Sequence, residues 1–351
     1  VRYNVWNKWG KLKTMMVGTC HEPEFFDFIT DPRVKGPLTR ILEETLEDLE
    51  GFQKTLESFG VNVIRPKTLY KQSVKELNGA VPRSSLQPRD CQLVIGNKLV
   101  YTSSDNQGII NALRDYNKKD IIIDPMMFSL KDIDKNIAEY TGNEFLRGAY
   151  WNAPCATVVG NRVYTDVKEI SPVRQAYLKK MFPDMKFIDV TIGGHNDGCF
   201  QTLKPGVIMS LRDITNYEEN FPGWDVLYLE DQSWNGPALK DYEKIKNATK
   251  GKWWIPGEEE NTPLIHFVNE YLDKWVGYVE ETVFDVNTIM IDENHCCVYN
   301  KKPNEKVSAF FKKHKIEPVY VQWRHRYFWD GGLHCITLDL EREGEMEDYF
   351  A

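Results

Sequence analysis

Hydrophobic positions along the chain follow two rhythms. Leu38, Ile41, Leu42, Leu46, Leu49, Phe52, Leu56 and Phe59 recur at steps of three and four, the spacing that puts side chains on one face of a helix. Gly60 then stops the helix, and the run VNVIRP from Val61 reads as a strand. Elsewhere short apolar runs come in pairs across a turn. Asp90 opens DCQLVIGNKLVYT, Asn152 opens NAPCATVVGNRVYTD, Asp197 opens DGCFQTLKPGVIMS and Asp285 opens DVNTIMIDENHCCVY. Gly96 with Asn97, Gly160 with Asn161, Pro205 with Gly206, and Glu293 with Asn294 mark the turns of four predicted hairpins.

A fifth copy, GGLHCITLDL around Cys335, has no second strand after it. The segment LKTMMVG from Leu12 to Gly18 can supply that strand and close a ring. Further helices are predicted at Pro172 to Met181, Thr262 to Trp275 and Glu305 to Lys313, the last running into a strand from Pro318 to Trp323. Repeated alternation of helix and strand argues for an α/β architecture of similar units around a centre. No Pro-rich or Ser-rich linker divides it, so residues 1–351 read as one domain. The copies are unequally spaced, which leaves room for a loop insertion between Leu211 and Val283 that could form a lid. In such a ring the opening polar residues Asp90, Asn152, Asp197 and Asp285 and the stretch from Asp330 to Cys335 converge on the axis. A pocket holding carboxylates, a histidine and a cysteine suits a cation and contains a nucleophile.

Composition narrows the setting. The 351 residues are 42% hydrophobic, enough for a large core. With 44 Lys and Arg against 52 Asp and Glu the net charge is -8, and no long basic run stands out, so nucleic acid is not an expected partner. An acidic surface gives a weak preference for cationic small molecules. No apolar run approaches the roughly 20 residues of a membrane helix. The segment from Val1 shows no basic-then-apolar leader, which makes the cytoplasm the default expectation. Seven cysteines, odd in number, scattered and without CxxC spacing, argue against a disulfide framework. Most read as small buried hydrophobes.

Two motifs carry candidate chemistry. His195 and Asp197 lie in GGHNDGCF after the strand KFIDVTI, and alternate residues of an extended segment face one side. Read alone, this is a turn histidine with a hydrogen-bonded aspartate. Cys335 follows Gly331, Gly332, Leu333 and His334, and the small residues would let a ligand approach the backbone. A metal held by His195, Asp197, His334 and Cys335 is not expected. Adjacent residues of a strand point to opposite faces, and zinc spacings are missing.

Six ordered blocks, NVWNKWGKLKTMMVG, PRDCQLVIGN, GGHNDGCF, LKPGVIMS, VNTIMIDE and GGLHCITLDLEREG, resemble the arginine amidinotransferases nearly end to end. That family is similar to glycine and inosamine-phosphate amidinotransferases and sits within the wider guanidine-modifying group. The resemblance implies a five-unit β/α propeller with pseudo-fivefold symmetry, the pentein fold. It also implies a nucleophile at Cys335, a general acid and base at His195, and guanidinium-binding acids at Asp90 and Asp197. Asp285 joins them as the opener of its own copy. Expected substrates are arginine and a small amine such as glycine or an amino sugar, with no cofactor, no metal, and a homodimer as the assembly to test.

Two positions depart from the family pattern. Asn152 stands where the resemblance puts an acid touching both histidine and guanidinium, and Glu144 is a nearby substitute. A lost charge-assisted bond there is worth roughly 1.5 to 3 kcal/mol. The family's arginine after its third hairpin is displaced, leaving Arg212 to hold a substrate carboxylate. The alternatives are hydrolysis by the same cysteine and histidine in the manner of an arginine deiminase or dihydrolase, a weakly catalytic guanidinium-binding protein, and a structural protein with no pocket.

Overall fold

The computed structural model describes residues 2–68, 81, 83–102, 106–113, 118–123, 153–166, 178–190, 192, 195–211, 215–230, 257, 258, 260–272, 275, 276, 285–299 and 304–350. Among them, fifteen strands form five three-stranded sheets of one design. Strands β1 (Leu12–Val17), β2 (Asn62–Ile64) and β15 (Thr337–Arg342) make the first, in the order β15-β1-β2. The second holds β3 (Gln92–Ile95), β4 (Lys98–Tyr101) and β5 (Ile121–Ile123). The third holds β6 (Ala156–Val159), β7 (Arg162–Asp166) and β8 (Lys186–Val190). The fourth holds β9 (Phe200–Lys204), β10 (Val207–Ser210) and β11 (Asp225–Tyr228). The fifth holds β12 (Ile289–Asp292), β13 (His295–Val298) and β14 (Glu317–Tyr320).

In each sheet an antiparallel pair is followed by a parallel third strand. All four hairpins expected from the sequence are present, and β1 does supply the partner of the strand after Cys335. Gly96, Gly160 and Gly206 take φ of +57°, +61° and +79°, the left-handed conformation that tight turns need. The parallel strand requires a crossover, and helices Pro32–Ser58 and Glu305–Lys313 precede β2 and β14 as such.

Two boundaries shift from the sequence reading. Helix Thr262–Tyr271 stops short of Trp275, whose indole turns to donate to the Val81 carbonyl at 3.0 Å. Strand β14 ends at Tyr320, before Trp323. Residues 178–181 are helical, and the rest of the helix expected from Pro172 lies outside the described residues. The span from 211 to 283 is not wholly an insertion, because β11 within it completes the fourth sheet. Residues 231–256 lie outside the described residues.

The long helix positions the segment that leads to Cys335. Its apolar face, including Leu38, Ile41, Leu42, Leu49, Phe52 and Leu56, belongs to one buried cluster with Trp275, Trp323, Trp329, Leu333 and Ile336. Each such side chain contributes about 1.5 to 3 kcal/mol. Two polar residues on the same helix act as anchors. Asp48 accepts from Arg324 N at 2.7 Å, Arg324 Nε at 2.9 Å and Gln322 Nε2 at 2.9 Å, and Thr45 accepts from the Trp329 indole at 2.8 Å. The chain from 322 to 336 is thereby held by both packing and hydrogen bonds. All seven cysteines are buried, and no disulfide joins them.

Candidate active site

Cys335 sits in the turn before β15, buried to 2% exposure. Its thiol donates to Asp197 Oδ2 at 3.6 Å, across 138 residues of sequence. The same oxygen accepts from His334 Nδ1 at 2.6 Å. A carboxylate can only accept, so the Nδ1 nitrogen of His334 carries the proton. The other oxygen, Asp197 Oδ1, is buried without a hydrogen-bond partner among the described residues. The sequence argument that His334 and Cys335 face opposite ways assumed a strand. They lie in a turn instead, and both reach one carboxylate.

Asp197 belongs to a 3-10 turn, Asn196–Gly198, with His195 at its N-cap in extended conformation. The expectation that His195 and Asp197 alternate along an extended segment is therefore replaced by a turn that gathers them. The turn is pinned from inside, since Asn196 Nδ2 donates to Thr157 Oγ1 and to the Tyr164 carbonyl, both at 3.1 Å.

Charge sets the protonation states. Burial pushes the Asp197 carboxyl up, but the His334 hydrogen bond and the charges of His334, His195 and Arg89 outweigh it and bring the group to about 2. Burial lowers His334 to about 4, Arg89 adds to that, and Asp197 only partly opposes it. At neutral pH the pair is thus a carboxylate with a neutral imidazole. His195 is the N-cap of the turn that carries Asp197, two residues away.

Behind the pair lies an ionic knot. Arg89 donates through Nε to the His334 carbonyl at 2.9 Å and through Nη2 to Asp339 Oδ1 at 2.9 Å. Arg342 Nε meets Asp339 Oδ2 at 2.7 Å, and Lys8 Nζ lies 3.8 Å from the same oxygen. Burial lowers Lys8 to about 8 against the pull of Asp339. A small cavity is lined by Lys8, Arg89, Asp197, His334 and Asp339 among others, and Cys335 is not part of its lining.

The remaining selected residues separate. Asp90 is half-buried in helix Pro88–Cys91, whose neighbouring side chains Gln87 and Arg89 bind the carbonyls of Trp329, Asp330 and His334. The element bearing Asp90 therefore docks on the stretch that leads to Cys335. Asp285 is half-buried near Tyr299, where burial first and the Asp285 charge second raise the phenol. The residue of that copy that reaches the sulfur is Asn287, whose Nδ2 donates to Cys335 Sγ at 3.1 Å. Asn152, Arg212 and Glu144 lie outside the described residues.

Sequence reasoning missed His334 and Asn287. A signal for Asn287 existed: Asp90 stands six residues before the turn residue Gly96, and Asn287 stands six before Glu293, so Asn287 and not Asp285 is the matching position. The glycines before Cys335 also have a different use from the one expected. A Cβ on Gly332 would strike the Asn287 side chain, and one on Gly331 would lie 3.0 Å from Gln87 Nε2. They admit protein groups to the turn.

No family model matches the chain. The chain is similar to glycine amidinotransferase, mitochondrial, of Xenopus laevis, 23% identical over 339 residues, covering 88% of this chain and 72% of that protein. Among solved structures it is similar to an amidinotransferase of the saxitoxin biosynthetic pathway from Microseira wollei, with a TM-score of 0.64, 19% identity and 99% of each chain covered. It is also similar to inosamine-phosphate amidinotransferase from Streptomyces griseus, with a TM-score of 0.63, 15% identity and again 99% of each chain covered. These relatives are transferases, and the structural likeness is one of fold.

Proposed function

We propose that the protein is an amidinotransferase that carries the amidino group of arginine on Cys335 and delivers it to a small amine, and that its five sheets are the blades of a five-unit propeller around the site. One observation carries the reading. An ionised, buried carboxylate, Asp197, lies against Cys335 Sγ at 3.6 Å and keeps a second oxygen without a hydrogen-bond partner among the described residues. A guanidinium is planar, cationic and rich in donors, and it satisfies such an oxygen while its carbon lies over the sulfur.

The bound cation also changes the sulfur. A thiolate beside a carboxylate is disfavoured, and a guanidinium bound against both removes that penalty. The Cys335 thiol passes its proton to His195, and attack of the resulting thiolate on the guanidinium carbon forms the C–S bond. His195 gives a proton to the departing nitrogen as its C–N bond breaks, which releases ornithine and leaves the amidino group on sulfur. An acceptor amine then attacks the same carbon and gives its proton to His195, and the C–S bond breaks. Asp197 and Asp90 hold the guanidinium edges, and positions 152 and 212 are assigned the remaining substrate contacts. Hydrogen bonding to neutral His334 keeps Asp197 an acceptor throughout.

Incubation with arginine, with and without a panel of amines, tests the reading. Ornithine that accumulates only when an amine is present, together with a matching guanidino product, is the expected result. Citrulline formed without any amine would make the protein a hydrolase, and no turnover of any guanidine would leave a binding protein.

A further inference from the structure

The turn that opens β12 delivers a carboxamide to the reactive sulfur. Asn287 is fully buried, and its Oδ1 accepts from the backbone N–H groups of His334 at 2.9 Å and Cys335 at 3.4 Å. Those groups can only donate, so the orientation of the amide is fixed and Nδ2 must face the other way. There it donates to Cys335 Sγ at 3.1 Å and to the Asp197 carbonyl at 3.2 Å. Gly332 supplies the room, since any Cβ at that position would collide with the amide.

The sulfur therefore lies between two opposed influences. On one side the Asp197 carboxylate at 3.6 Å favours the thiol, which can donate to it. On the other the Asn287 N–H favours the thiolate, because a hydrogen bond to an ionised acceptor is the stronger one. We propose that Asn287 is a catalytic residue that stabilises the Cys335 thiolate through its Nδ2–H while its Oδ1 locks the turn bearing the sulfur. A corollary concerns the backbone. The N–H groups of 334 and 335 are occupied by Asn287, so these two are not free to stabilise charge at the reacting carbon.

This inference rests on the reading of Cys335 as the nucleophile, and its test needs no substrate. Ultraviolet thiolate absorbance is followed against pH in the full-length protein, with Cys335→Ser subtracted to isolate the one sulfur. Asn287→Asp keeps an oxygen for both backbone donors and replaces only the donor half with a carboxylate. Its titration midpoint is expected to rise by about one pH unit or more. Asn287→Ala is expected to move in the same direction by less. That variant also strands two buried N–H groups, so if it does not fold, the Asp variant alone decides. A folded Asn287→Asp protein with the wild-type midpoint would overturn the proposal, whatever became of its turnover. Wild-type protein that titrates as expected yet never accepts an amidino group would instead sink the proposed function and the catalytic role with it, leaving only the Asn287 bond to the thiolate.

Discussion

Asp197 concentrates the residue-scale chemistry, since one oxygen serves both His334 and Cys335. Replacing it with Asn removes the charge that faces the guanidinium and should lower kcat/KM for arginine about 10- to 100-fold, the worth of one charge-assisted bond. A steady-state comparison that found arginine use unchanged would remove Asp197 from the site. His334 gives a stability prediction with a definite sign. The imidazole takes up its proton near 6.5 when unfolded but only near 4 when folded, so the folded state disfavours that proton. Its contribution is present above about pH 6.5 and is lost as pH falls toward 4. Asp197, with its folded value depressed, adds a second loss only below its ordinary value of 3.8. Urea midpoints measured from about pH 7 down to about pH 4 should fall in the wild type and flatten in His334→Gln. Cys335, His195 and Asp197 were singled out in the sequence through the resemblance of GGHNDGCF and GGLHCITLDLEREG to a known family, and the structure brings Asp197 and Cys335 together. His334 was not, because a turn placed it beside its neighbour where strand alternation had set them apart.

At the scale of elements, the hairpins were readable because alternating apolar runs and glycine turns are local signals. Their docking was not, because it comes from residues near both ends of the chain. The Val5 carbonyl and N–H pair with Gly96, the Trp6 carbonyl accepts from Gly160, and the Glu347 carbonyl accepts from Asn161. Two turn glycines of similar φ should therefore respond differently to substitution. Gly206→Ala has open space around its Cβ and loses only the freedom of a positive φ, about 1 kcal/mol. Gly160→Ala carries the same strain and also meets the Glu347 carbonyl and the Tyr349 ring, so it should cost clearly more. Thermal melts of the two variants side by side check this, and equal losses would show that the terminal segment contributes nothing at that turn.

For the whole molecule, the decisive feature is that sequence-distant sheets share one ionic centre. Asp339 on β15 holds Arg89 from the short helix before β3 and Arg342 from its own strand, with Lys8 close by. Arg342 in turn binds the Gly10 carbonyl at 2.8 Å and the Met290 carbonyl of β12 at 2.7 Å. No periodicity announces such a knot, since its members are scattered through the chain and share no spacing. Asp339→Ala would leave buried cations without their counter-charge and should cost about 3 to 5 kcal/mol, read as a lowered denaturant midpoint. A loss under about 1 kcal/mol would mean that the centre is solvated and not a structural hub. The same convergence brings Cys335 against Asp197, and transfer through that sulfur is the claim on which the functional account stands. The most direct test is mass spectrometry of protein quenched during incubation with arginine alone. An amidino adduct on the peptide containing Cys335, absent from Cys335→Ser, is the outcome predicted; an unmodified Cys335 under turnover conditions, or an adduct on another cysteine, would contradict it.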